Sequence, residues 1–254
     1  MKLALAVLLL AACNPPLPED SKPVRDDTGP TDTDTRPAAT TWNWVVAELT
    51  LASGLDGFDL DGDGDKDNAL APLGAVIDPT LAAALDGSDK VILLQLAAAE
   101  SLVDDSAVRV AVLGGTDLDT DHDPADNFSG TEAFDAGSAV DGQGNAVDFN
   151  EVALSGGTYT AVFPPRDVQI GSAELTATTE SHLSGRSVSE DNQVGLYGFG
   201  VSVASLVAFG KNLGLEAGDL DRLAALADID TDGDGDDDTV SAAYEFQAVA
   251  CTLN

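Results

Sequence analysis

Apolar and polar residues alternate along much of this chain, and the alternation predicts a protein built mainly of strands. Residues 42–51, Trp-Asn-Trp-Val-Val-Ala-Glu-Leu-Thr-Leu, alternate well enough for a strand, and 91–96 and 107–113 are β-branched-rich runs able to pair antiparallel. Tyr159–Phe163 is a further strand, stopped by Pro164-Pro165. The cleanest period of two covers 172–180, with Ala173, Leu175 and Ala177 inward and Ser172, Glu174, Thr176 and Thr178 outward. The last strand spans 240–253, with Tyr244, Phe246 and Ala248 on one side.

Helical signals are fewer. Asp78 as N-cap and Pro79 as the first helical residue predict a helix over 80–86 closed by Gly87. Asp219 would cap a second helix, with Leu220, Leu223, Leu226 and Ala227 on one face. Residues 128–150 are rich in glycine and aspartate and carry only weak strand signals. The apolar, glycine-punctuated run 194–209 is too short to span a bilayer and reads as a buried core element, or as a wall of an apolar cavity. The expected fold is therefore mainly β, an antiparallel sheet or sandwich with a few short α-helices. An α+β arrangement is the alternative.

Composition places the charge. Of 45 acidic residues 35 are aspartates, and 17 of those fall within 59–67, 117–126 and 228–238, so the acid belongs to turns rather than helices. A net charge of −34 with 11 scattered basic residues excludes nucleic-acid binding, which needs a Lys/Arg surface. It also disfavours adsorption to an anionic membrane and makes the folded state repel itself unless cations offset the charge.

Two windows share one pattern in one register: D-x-D-G-D-G-x-x-D. The first carries Asp59, Asp61, Asp63, Asp65 and Asp67, the second Asp230, Asp232, Asp234, Asp236 and Asp238. A looser relative holds Asp117, Asp119 and Asp121. Alternate carboxylates on a tightly turned, glycine-rich backbone suit a hard cation, so Ca²⁺ is the expected cofactor. In the looser window His122 reads as a solvated side chain among oxygen donors rather than a zinc ligand.

Position twelve of an EF-hand, which requires glutamate, is Leu70 or Ser241 here, so neither loop is an EF-hand. The strict pattern resembles the thrombospondin type 3 class of calcium loop. The resemblance implies ligand roles for Asp59, Asp61, Asp63 and Asp67, and for Asp230, Asp232, Asp234 and Asp238. The loops stand singly, without that family's tandem array and cysteines, and so imply isolated structural sites.

The amino terminus adds a location. Met1-Lys2 and the apolar run 3–10 precede Leu10-Ala-Ala-Cys13, which resembles the lipobox of bacterial lipoproteins. The resemblance implies a signal peptide over 1–12, a lipidated Cys13 and anchorage in a bilayer. Asn14 after the cysteine implies the outer membrane, with a periplasmic or surface-exposed domain. Without lipid, a disulfide between Cys13 and Cys251 is the alternative; otherwise Cys251 reads as a small buried hydrophobe. Residues 13–41 then form a tether rich in proline, threonine and aspartate, and 42–254 the calcium-stabilised domain.

Catalytic patterns are missing. His122 and His182 are the only histidines, and neither accompanies a nucleophile elbow, a metalloprotease pair or a candidate nucleophilic cysteine. Ser181-His182 reads as strand surface. The expected role is non-enzymatic: structural or interaction-type at the envelope, with an envelope protein or a glycan as partner. A carrier of apolar ligands is the runner-up, and a secreted hydrolase comes third.

Overall fold

In a computed structural model of the chain, residues 39–119, 123–171 and 173–254 are described. The expected signal peptide, Cys13 and most of the expected tether, to residue 38, lie outside them, as do Asp121, His122 and Ser172. The fold is mainly β, with a few short helices.

Strand β1 (Thr40–Leu51) shows why its alternation is imperfect. Trp44 and Val46 face the main core, and so do Leu49 and Leu51, which are out of phase with them. The register against β11 (Thr239–Ala250) slips between Val46 and Glu48, so Ala47 is an extra residue and the bulge restores the phase. A second bulge lies in β2 (Lys90–Ala99), where Ala98 adopts φ 59° beside the register shift opposite Thr40–Trp42.

Strand β2 pairs antiparallel with β3 (Asp105–Asp117), as the two apolar runs predict. The sequence Val91–Leu96 is nearly continuous in apolar residues because both faces are covered. Ile92, Leu94 and Leu96 enter the main core, while Val91 and Leu93 enter a smaller one with Val45, Ala111, Leu113, Phe134 and Cys251. Burial there pushes the Cys251 thiol up to about 12.

Four short strands, β4 (Ala133–Asp135), β5 (Asn150–Leu154), β6 (Thr158–Phe163) and β12 (Thr252–Leu253), join β9 (Ser181–Ser187) and β10 (Asn192–Ser202) in one ten-stranded sheet. Its order is β12-β4-β3-β2-β1-β11-β10-β9-β6, with β5 also on β3. Every pairing is antiparallel except β12 with β4. Because β5 and β6 lie at opposite ends of the curl yet are joined by the Ser155–Thr158 turn, the sheet wraps most of the way round.

The concave side is filled. A two-stranded ribbon of β7 (Asp167–Ile170) and β8 (Ala173–Thr176) contributes Val168, Ile170, Ala173 and Leu175, and three helices add Ile77, Leu81, Leu85, Leu206, Phe209 and Leu223. The expected alternation at 172–180 is seen in burial, Ala173, Leu175 and Ala177 being buried, but the strand ends at Thr176 and belongs to the ribbon, not the sheet. Between Val46, Leu94, Leu183, Tyr197 and Phe246 the interior leaves a cavity of only about 20 Å³.

Helix α1 (Gly74–Asp86) corrects the expected start at Thr80. Its buried stripe, Ile77, Leu81 and Leu85, begins before Pro79, and the helix accepts the proline internally because burial of that stripe outweighs one lost hydrogen bond. Asp78 is no cap; its Oδ1 accepts the Leu51 amide at 2.8 Å and fixes the helix to the end of β1. Gly87 does close the helix. The run 194–209 splits, β10 passing directly into α3 (Val203–Asn212), whose N-cap Ser202 accepts from the Ser205 amide. In α4 (Ala217–Ala224) the cap is Glu216, with Asp219 one turn inside; the apolar face is as expected, centred on Leu223. The remaining helix, α2 (Pro124–Asn127), is one turn. Ser181 is fully buried and His182 half-buried, not surface, because β9 starts afresh at Ser181.

If the ribbon is part of the core rather than a surface flap, Leu175→Ala should cost about 2–5 kcal/mol, read from the urea midpoint at unchanged slope.

Candidate metal centres

The two strict loops fold alike because their sequence bonds its own backbone. In the first, Asp59 accepts the amides of Gly62 and Gly64 at 2.7 and 3.2 Å, Asp61 that of Asp63, and Asp63 that of Asp65. In the second, Asp230 accepts Gly233 and Gly235 at 2.7 and 2.8 Å, Asp232 accepts Asp234, and Asp234 accepts Asp236. Each loop is closed by its final aspartate, Asp67 taking the Leu60 amide and Asp238 the Thr231 amide. Gly62, Gly64, Gly233 and Gly235 all adopt φ between 78° and 97°, which a side chain would resist.

This backbone turns alternate carboxylates toward one point. Asp59, Asp61 and Asp67 each place an oxygen within 4.8 Å of the others, and so do Asp230, Asp232 and Asp234. Asp63 and Asp65 stand outside the first trio, and Asp236 and Asp238 outside the second; Asp238 instead accepts the Thr231 hydroxyl at 2.8 Å.

Both loops hang from the same end of the β1–β11 pair, one following β1 and the other preceding β11. Their stems are bonded together. Asn68 is buried; its Nδ2 donates to the carbonyls of Ala52, Ser53 and Asp56, and its Oδ1 accepts the Ala243 amide. The Ser241 hydroxyl donates to Asp228 and accepts the Ala69 amide at 2.7 Å. Leu70 and Ser241, the two places where an EF-hand would put glutamate, are themselves joined, Leu70 N–H to Ser241 carbonyl at 3.1 Å. Sequence reasoning missed Asn68 and Asp228 as parts of this rim, because Asn68 reaches Ala243, 175 residues away, and Asp228 bonds Ser241 from outside the nine-residue pattern.

In the looser window the structure brings Asp117 and Asp119 together with Glu132, each offering an oxygen within 4.8 Å of the others. Glu132, 15 residues beyond Asp117, carries no local motif that could have signalled it.

The donors fit a hard divalent cation: all are oxygens, and positive φ at the glycines permits the tight convergence. Comparison of the chain with models of known protein families, with characterised proteins and with solved structures finds no match.

The carboxylates are not electrostatically alike. Partial burial, with Asp61, Asp228 and Asp63 nearby, holds Asp67 above the usual range despite the Leu60 amide. Burial likewise raises Asp228, aided by Asp237 and opposed by its bonds from Ser241. Asp230 is lowered by the Gly235 and Gly233 amides, and Asp238 by the Thr231 hydroxyl and amide. His182, its ring tilted 38° against Phe58 with centroids 5.3 Å apart, is lowered by burial against the pull of Glu180 and Asp59.

The sign of the pH dependence follows. A raised carboxyl holds its proton more tightly folded than unfolded, so ionising Asp67 and Asp228 costs stability at neutral pH. That cost is relieved as pH falls through their raised values toward the ordinary value of about 4. The stability from Asp230 and Asp238 is lost only below that value. In EDTA the melting temperature should therefore rise from pH 7 to about pH 5, whereas in saturating calcium it should fall, as protons compete for the ligands. A scanning melt at both pH values, with and without calcium, checks this.

Proposed function

We propose that this protein is a lipid-anchored envelope lipoprotein whose β-rich domain is stabilised by Ca²⁺ in its aspartate loops and serves a structural or interaction role. The observation that carries the calcium part is the matched hydrogen-bond pattern of loops 59–67 and 230–238, two distant segments in which three carboxylates converge, the third being Asp67 in one and Asp234 in the other. Like charges gathered so closely repel unless a cation lies among them.

Extracellular calcium modules bind with Kd of roughly 10⁻⁴–10⁻³ M. At ten times Kd each ion adds about 1.4 kcal/mol to stability. Two ions thus supply about 3 kcal/mol, a sizeable part of the roughly 5–15 kcal/mol that holds a domain folded. They would sit at one rim, beside the stems through which the first and last long strands of the domain are bonded.

Anchorage rests on the Leu10-Ala-Ala-Cys13 motif, with the lipid on Cys13 as the link to the outer membrane. No helix of the described residues is long and apolar enough to cross a membrane. The apolar cavity is only about 20 Å³, and the roomier cleft beside it, about 390 Å³, is also lined by Asp148, Arg166, Asp167 and Glu174, which favours polar contacts over carriage of an apolar ligand. A protein or glycan of the envelope is the partner class that a tethered, acidic, calcium-bearing domain would meet.

A thermal melt of the full chain tests the calcium reading. Millimolar calcium should raise the midpoint by several degrees over EDTA, and the paired substitution Asp61→Ala and Asp232→Ala should abolish most of that rise. Labelling with a radioactive fatty acid, lost in Cys13→Ser, tests the anchor.

A further inference from the structure

The middle acidic window differs from the outer two in burial. Asp117, the last residue of β3, is 1% exposed, whereas the outer loops stand largely in water. Its Oδ1 accepts the Asp119 amide at 3.2 Å, and its Oδ2 has no hydrogen-bond partner. An ionised carboxylate removed from water is strongly disfavoured unless an opposite charge meets it. What the structure brings to Asp117 is two more carboxylates, Asp119 and Glu132. A buried oxygen left open beside converging negative charge is what a bound hard cation would satisfy.

We propose that Asp117, Asp119 and Glu132 bind a divalent cation of the calcium class, and that this ion clamps the carboxy-terminal segment onto the sheet. Glu132 immediately precedes β4, and β4 is the only strand that β12 pairs with in the sheet order. The Glu132 carbonyl accepts both the amide and the hydroxyl of Thr252, at 2.8 and 3.2 Å, and the Phe134 carbonyl accepts the Asn254 amide. On its other side β4 meets the end of β3, with Asp117 opposite Phe134. An ion between Asp117 and Glu132 therefore fixes the backbone on which the last residues dock. Cys251, between β11 and β12, packs with Phe134 in the smaller core and reports on that docking.

This extends the calcium reading to a site with its own residues, so the two can fail separately. The test uses the full chain carrying Cys13→Ser, in which Cys251 is the only thiol. Ca²⁺ bound per chain is counted by equilibrium dialysis, and Cys251 is timed against a thiol-specific disulfide reagent in calcium. The parent should bind three ions, Glu132→Gln two, and the pair Asp61→Ala and Asp232→Ala one. Glu132→Gln should also react at least tenfold faster at Cys251. Asp119→Asn, at an exposed position, should lose the same ion and covers the case in which Glu132→Gln does not fold. If both variants bind as many ions as the parent, the proposal is overturned while the outer loops keep theirs. If Glu132→Gln loses one ion and the outer-loop pair loses none, this site stands and the outer-loop reading falls.

Discussion

The structure turns on the crowding of like charge at one end of a strand pair. Loops 59–67 and 230–238 each bring three carboxylates within 4.8 Å of one another, and both emerge where β1 and β11 meet. Asp67 and Asp228, one from each stem, lie close enough to raise the carboxyl of Asp67. Without cations the repulsion acts directly on the two long strands that bring the chain's halves together. With cations that repulsion is relieved and each loop keeps its bend at the ends of the two strands.

What transmits that force is a set of hydrogen bonds at the stems. Asn68 satisfies three carbonyls of the first loop's approach and one amide of β11. Ser241 connects Asp228 to Ala69 and Leu70. Just below, Leu70 and Val240 are buried in the main core, so a shift of the rim is felt by packed side chains and not by solvent alone. The ribbon and helices pack their apolar side chains into the curl of the sheet.

Most strands were legible because a half-buried strand must alternate, and the turns of the two acidic loops were legible because D-x-D-G-D-G-x-x-D bonds its own backbone within nine residues. Local signals failed where distant packing decided. The phase slip in β1 at Ala47 is set by pairing with β11. Helix α1 begins at Gly74 because Ile77 has core to reach, whatever Pro79 prefers. The alternation at 172–180 correctly gave the inward residues but could not tell a ribbon from a sheet. Glu132 and Asn68 join their sites through tertiary pairing, which no spacing encodes. Lipidation at Cys13 and the ligand role of Asp121 lie outside the described residues.

The most direct measurement is amide hydrogen exchange at Ala69, Leu70 and Ala243, which donate across the rim to Ser241 and Asn68. If cations in the two loops hold the strands together there, these amides should exchange at least tenfold faster in EDTA than in calcium, a difference of about 1.4 kcal/mol in opening free energy. Amides inside β2 and β3, such as those of Leu94 and Val110, should change less. Equal protection of the rim with and without calcium would contradict the account and leave the loops as acidic turns.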